Sequence, residues 1–311
     1  MSKRPRHESE ILLREVRGPE EPIEVLDLTT RTEARHELVA LMDGPKAAID
    51  LAQACLLITR DELDGDLDED EEAASLEELD HLATRVRHTF SPGASSPERL
   101  AALHQVLFDD AGFCGNHEDY YAIDNALLPR VMATGMGLPL LLCVVYVEVA
   151  RRVGIEAQPV AFPGHFLVRC ELDDGFLVID PFNGGRLLDR ADCEELLEEI
   201  TEGQHTFDEA MLEPATELEV LTRLYLNLRR SHLLAGDIVR ALRAQDGVVA
   251  LNPDSIPALR DRARLYARLG AHPLAALDLE HCLELGPRTG KLYQALQQEA
   301  AMARRKGRFQ A

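Results

Sequence analysis

Ten consecutive apolar residues, Leu138 to Val147, are interrupted only at Glu148. Pro139 stands at the head of this run and Gly154 just beyond its end. Proline suits the first helical position, and glycine supplies the left-handed residue that closes a helix. The pattern predicts a helix over 139–152 that is apolar on every face and so must be covered on every face. Its length is about half of a bilayer span, so the cover has to be protein.

The chain has 311 residues, 46% of them apolar, enough for a core and for two domains. Its formal net charge is −22, which disfavours phosphate backbones and anionic membrane surfaces as partners. The basic start, Met1 to His7, is not followed by an apolar stretch of the kind a secretion signal carries. The six cysteines (Cys55, Cys114, Cys143, Cys170, Cys193, Cys282) form no CxxC pair and no Cys/His metal spacing. A reduced cytoplasmic setting fits them, and no cofactor or metal is called for.

Residues 1–36 read as a charged flexible extension. A helical period then runs from Glu37 to Arg60. Residues 61–80 carry twelve acids. Within them Asp64, Asp66 and Asp68 imitate a calcium loop, but Glu69 replaces the required glycine and Ser75 the closing glutamate. A solvated acidic face is the reading there, with docking to a basic partner as a further hypothesis. Helices are expected over 76–90, over 98–109 with Ser96 as N-cap, and over 125–132. Thr134-Gly135-Met136-Gly137 reads as a turn. After Gly154 the period becomes extended, with strands at 158–162, 165–171 and 176–180 and a hairpin turn at Asp173-Asp174-Gly175. Everything from Asp189 onward reads as helix. The order gives an α+β fold, a helix packed on a small antiparallel sheet, followed by an all-α module. The expected domains are 37–200 and 201–311.

The C-terminal third repeats every 34 residues: Gly236 matches Gly270, Ala241 matches Ala275, Leu251 matches Leu285 and Pro253 matches Pro287. That is the tetratricopeptide period. Val248 and Cys282 fall at the small position of the second helix. Two repeats are fewer than a free-standing solenoid needs, so a flanking helix around 290–305 is expected to support them. The module is either a stabilising appendage or a concave peptide-binding face, with Tyr225, Asn227, Arg260 and Tyr266 as partner-facing candidates.

Between the two parts stand Gly112-Phe-Cys-Gly-Asn116, Tyr120-Tyr121, Asn125, Gly137-Leu-Pro139, Tyr146-x-Glu-Val-Ala-Arg151, Pro163-Gly-His-Phe-Leu-Val168 and Asp180-Pro-Phe-Asn-Gly-Gly185. In this order they resemble the transglutaminase-like fold of papain-like cysteine hydrolases, and more closely the bacterial SirB-type "core 2" group that carries tetratricopeptide repeats behind it. The resemblance implies a helix N-terminus bearing a cysteine, a first strand bearing a histidine and a second bearing an aspartate. His165 and Asp180 match the last two; the nucleophile position falls on Pro139. Cys143 lies one turn deeper on the same helix, about 5.4 Å away, in surroundings that would raise its pKa. Cys114, in a loop between glycines, is the better-placed substitute. Two functions therefore stand against each other. One is a non-catalytic scaffold or adaptor for a protein or peptide partner, with Asn116, His117, Pro139 and Asn183 lining a retained cleft. The other is an amide hydrolase or acyltransferase using Cys114, His165 and Asp180. Without a thiol, the His–Asp pair also reads as a structural lock between strand ends.

Overall fold

The computed structural model describes residues 32–44, 49–172 and 175–308. Of the described residues, those from 49 to 224 form one unit, and those from 225 to 308 form the other together with 32–44. This division differs from the expected boundaries at both ends. The first helix, α1 (Glu33–Asp43), starts within the stretch read as a flexible extension, capped by Thr32, and groups with the C-terminal unit. Residues 1–31 of that extension lie outside the described residues.

The helix expected over 37–60 is two. α1 stops at Gly44, whose ψ of 177° is extended, as the residue before a proline prefers. α2 (Leu51–Glu62) restarts under an Asp50 cap. α3 (Glu69–Thr89) begins seven residues before the apolar period does. Its first turn carries Glu69, Asp70, Glu71 and Glu72, whose charges complement the positive end of the helix. The acidic stretch is thus partly engaged: Glu71 meets Arg130 at 3.3 Å and Asp80 meets Arg152 at 2.7 Å. α4 (Ser96–His104) is capped by Ser95, one residue earlier than expected, because Glu98 accepts from the Ser95 backbone N–H at 2.8 Å. It continues as a wider turn over Gln105–Asp110. The turn expected at 134–137 pairs instead: β1 (Cys114–Gly115) and β2 (Met136–Gly137) make a two-residue parallel ladder around α5 (Leu128–Thr134).

α6 (Pro139–Arg152) has the expected bounds, and residues 139–150 are all buried. Ile155 N–H reaches Ala150 O at 2.9 Å and Gly154 N–H reaches Arg151 O at 3.2 Å, the paired closure that glycine at φ 74° permits. Glu148, the acid that ends the apolar run, is 2% exposed and receives Arg151 and Arg152, each at 2.6 Å. α6 packs on an antiparallel sheet of order β3-β4-β5-β6: β3 (Ala157–Val160), β4 (Leu167–Leu172), β5 (Gly175–Asp180) and β6 (Arg186–Leu188). The sequence pattern gives no sign of β6, which is three residues long behind two glycines. The residues Asp173 and Asp174 of the expected hairpin turn lie outside the described set. Side chains alternate across the sheet. Cys170 meets Tyr146 of α6, while Leu167 and Val178 join Cys193 and Leu197 of α7 (Arg190–Thr201) in a second core layer.

In the second unit the repeat is helical pairs: α8 (Glu217–Ala235, crossing the unit boundary) with α9 (Ile238–Leu251), α10 (Ile256–Arg268) with α11 (His272–Leu285), then α12 (Lys291–Gly307). Gly236 (φ 81°) and Gly270 (φ 79°) close α8 and α10 by the same hydrogen-bond pair, which is why they recur at the repeat distance. The close approach between α8 and α9 occurs at Gly247, one residue before the expected Val248. A Cβ there would lie 2.3 Å from the Tyr225 ring. α1 lies on α9, where Arg35 Nη2 donates to Arg243 O at 3.0 Å.

Candidate functional site

His165 leaves a tight turn after β3, and Asp180 ends β5. Gly164 at φ 69° makes that turn possible, and a Cβ there would lie 2.5 Å from Ile200. The imidazole Nε2 stands 2.9 Å from Asp180 Oδ1, with both side chains buried. Asp180 Oδ1 also accepts the N–H groups of Phe182 (3.1 Å) and Asn183 (3.3 Å), and Oδ2 accepts Asn183 Nδ2 at 2.6 Å. Burial alone would raise this carboxyl. The His165 hydrogen bond and charge, with the Asn183 donors, hold it below the ordinary carboxylate range. Asp180 thus does two jobs, orienting an imidazole and capping the single turn Pro181–Asn183. The other imidazole nitrogen, Nδ1, is buried with no partner among the described residues.

Aromatic side chains surround the pair. The Phe182 ring meets the rings of His165 (5.8 Å), Tyr120 (5.7 Å) and His117 (4.6 Å). It also fills the space above Gly115, where a Cβ would lie 2.4 Å from Phe182 Cε2. The loop that carries His117 and Tyr120 is pinned by amides. Asn116 Nδ2 donates to Asn125 Oδ1 (3.1 Å), Asn125 Nδ2 donates to Asp119 O (2.7 Å), and Asn125 O accepts the Leu138 N–H that precedes α6 (3.0 Å). Sequence reasoning missed Phe182 and Asn125 as parts of this site. Both stand among the motif residues, Phe182 directly after Asp180-Pro181 and Asn125 between Tyr121 and Gly137, but neither carries a group that titrates or attacks.

Of the expected residues, the structure brings His165, Asp180 and Asn183 together. Pro139 is buried at the first position of α6 and supplies no nucleophile. No described hydrogen bond joins Cys114 to the pair. It is exposed on β1, opposite Met136, while its neighbour Gly115 is the residue that faces Phe182. Cys143 is fully buried, and burial together with the Asp180 charge raises its thiol well above the ordinary range. Asn116 is spent on pinning its loop, and His117 is exposed with its ring against Phe182.

The partner-facing candidates fare differently. Tyr225 and Tyr266 are buried, and Arg260 is engaged by both Glu299 oxygens; of the four, only Asn227 is half-exposed without a bond that occupies it among those described. The residue types that fill a helix-pair interface resemble those that bind peptides, so the repeat register did not separate the two uses.

Among the described residues no group of three or more His, Cys, Asp or Glu converges as metal ligands, and no helix is long and apolar enough to cross a membrane.

Comparison with known proteins adds the lineage. A family described as the transglutaminase-like superfamily matches residues 73–226, and one described as tetratricopeptide repeat matches residues 228–305. A UPF0162 protein of Xylella fastidiosa strain 9a5c is 41% identical over 196 residues, covering 62% of this chain and 70% of its own. The chain belongs to the UPF0162 family. A second UPF0162 relative, PA3419 of Pseudomonas aeruginosa, is 35% identical over 230 residues, 71% of this chain and 84% of its own. Outside bacteria, F-box only protein 21 of Homo sapiens is 33% identical over 207 residues, 60% of this chain and 32% of its own. The expected pairing of a transglutaminase-like α+β domain with tetratricopeptide repeats is therefore the architecture of this UPF0162 protein.

Proposed function

We propose that this UPF0162 protein is a non-catalytic adaptor that holds a protein partner, its transglutaminase-like domain retaining the base and orienter of a hydrolase without the attacking atom. The observation that carries this reading is Pro139, buried at the helix position that the resemblance assigns to the thiol. Losing the nucleophile of such a triad costs on the order of a million-fold in rate. The burial of His165 and Asp180 under Phe182 supports the same reading, since a base acts only on a proton it can reach. The six cysteines are all free, which favours a reducing, cytoplasmic setting.

The test is thiol reactivity. Iodoacetamide at pH 6–7 should label the exposed Cys114 at the rate of an ordinary surface thiol, and His165→Ala should leave that rate unchanged. Selective, fast labelling of Cys114 that collapses in His165→Ala would replace the adaptor with the hydrolase.

A further inference from the structure

In a chain whose net charge is −22, an arginine readily finds an acid. Arg85 meets Asp110, Arg130 meets Glu71, and Arg152 meets Asp80 and Glu148. Arg99, near the start of α4, is different. Its Nε donates to Ala94 O at 3.0 Å, and its guanidinium lies 5.7 Å from the centre of the Phe90 ring. These contacts fix the stem and leave the fork. Neither terminal nitrogen has a hydrogen-bond or carboxylate partner among the described residues.

Arg99 borders a cavity of about 250 Å³ between the start of α4, the turn after α6 and the end of β4. The fork stands beside that turn: a Cβ on Gly154 would lie 3.8 Å from Arg99 Nη1. Leu100, Ile155 and Leu172 supply apolar wall, and Ser96 supplies an exposed hydroxyl with no partner among the described residues. Cys170 also lines the space, but its thiol is buried, pushed up to about 12, and directed at Tyr146 OH at 3.8 Å. A thiol so placed is inert, so the cavity is built to bind and not to react.

Size and charge choose the occupant. A water-sized group takes about 30 Å³, which leaves room for about eight such groups. Two free guanidinium nitrogens match the two oxygens of a carboxylate. Two acids belong to the same wall: Glu171 is already met by Arg169 at 2.6 Å, while Glu156 has no cationic partner among the described residues. Their charges penalise a second negative charge on a ligand, which sets a monocarboxylate ahead of a phosphate dianion. We infer that this cavity binds a small aliphatic monocarboxylate, its oxygens on the Arg99 fork and the Ser96 hydroxyl and its hydrocarbon part against Leu100, Ile155 and Leu172. None of His165, Asp180 or Pro139 lines the cavity, so the inference stands apart from the adaptor reading.

The experiment is calorimetric titration of the full chain with three probes: 4-methylpentanoate, 4-methylpentan-1-ol and inorganic phosphate. The carboxylate should bind saturably, with a Kd on the order of 1 mM for a ligand of about eight heavy atoms, and more weakly as salt rises. The alcohol and phosphate should each bind at least tenfold more weakly. Arg99→Met keeps the stem and removes the fork. Ser96→Asp puts a negative charge at the carboxylate end, on a helix start that favours aspartate, so this variant keeps the test alive if the first does not fold. Each should lower carboxylate affinity at least tenfold with an unchanged circular dichroism spectrum. Arg85→Met, on α3 outside the cavity, should change nothing. Equal binding of the alcohol, preference for phosphate, no saturable binding of the carboxylate, or indifference to the folded cavity variants would overturn the assignment.

Discussion

The imidazole of His165 has one nitrogen 2.9 Å from Asp180 and the other facing no partner among the described residues. In a hydrolase of this kind the second nitrogen would serve a thiol. Among the described residues this buried nitrogen has no protein partner, so the Asp180 bond uses one of the two imidazole nitrogens. This fits the proposed reading of a base and an orienter whose third group is missing.

Restoring that third group is the most direct check. Pro139→Cys places a thiol at the first position of α6, the helix end to which the resemblance assigns the nucleophile and where the helix dipole favours the thiolate. Iodoacetamide at pH 6–7 should label this introduced thiol at least tenfold faster than Cys114, and the additional change His165→Ala should remove the difference. Labelling of the introduced thiol as slow as that of the buried Cys55 would mean that Nδ1 does not look toward this helix end.

The pair also bears load. Asp180→Ala removes an acceptor used by His165, Phe182 and Asn183. Breaking a buried pair from one side costs about 3–5 kcal/mol. For a unit of this size each kcal/mol is about 2–4 °C, so calorimetry should show a fall on the order of 10 °C. Because the Asp180 pKa lies below its unfolded value of 3.8, its stabilisation is present above that pH and is lost as the pH falls through the folded value. An unchanged transition temperature would show that the turn Pro181–Asn183 is held by other contacts.

Gly115→Ala tests the aromatic cover. The added methyl would stand 2.4 Å from Phe182, and the ring is hemmed by His165, His117 and Tyr120. Overpacking of this kind costs about 1–3 kcal/mol. Chemical denaturation should report that loss with an unchanged slope. A neutral result would show Phe182 able to swing aside, and His165 open to solvent when it does.

Asp246 in the repeat unit titrates in the opposite sense to Asp180. Burial raises its carboxyl to about 6, although Arg262 lies at 3.0 Å. The folded chain therefore holds this proton more tightly than the unfolded chain, whose value is 3.8. Its contribution is greatest below pH 3.8 and declines as the pH rises toward about 6. At about 1.36 kcal/mol per pH unit the change is on the order of 3 kcal/mol at most. Asp246→Asn should flatten the difference in stability between pH 4 and pH 7; parallel curves for the two proteins would refute the assignment.

Apolar period, glycine position and repeat spacing were enough to place α6, to order helix before sheet before helical pairs, and to put His165 and Asp180 at neighbouring strand ends. Those features are local: they depend on what each residue's own backbone and its near neighbours allow. Tertiary structure alone decided the rest. Whether Cys114 reaches His165 turns on which side of a two-residue strand it occupies. Whether Arg260 and Tyr266 meet a partner or their own helices turns on packing between segments tens of residues apart. Side-chain identity fixes what a residue can do; only the three-dimensional neighbours, by satisfying or abandoning its hydrogen-bonding groups, fix what it does.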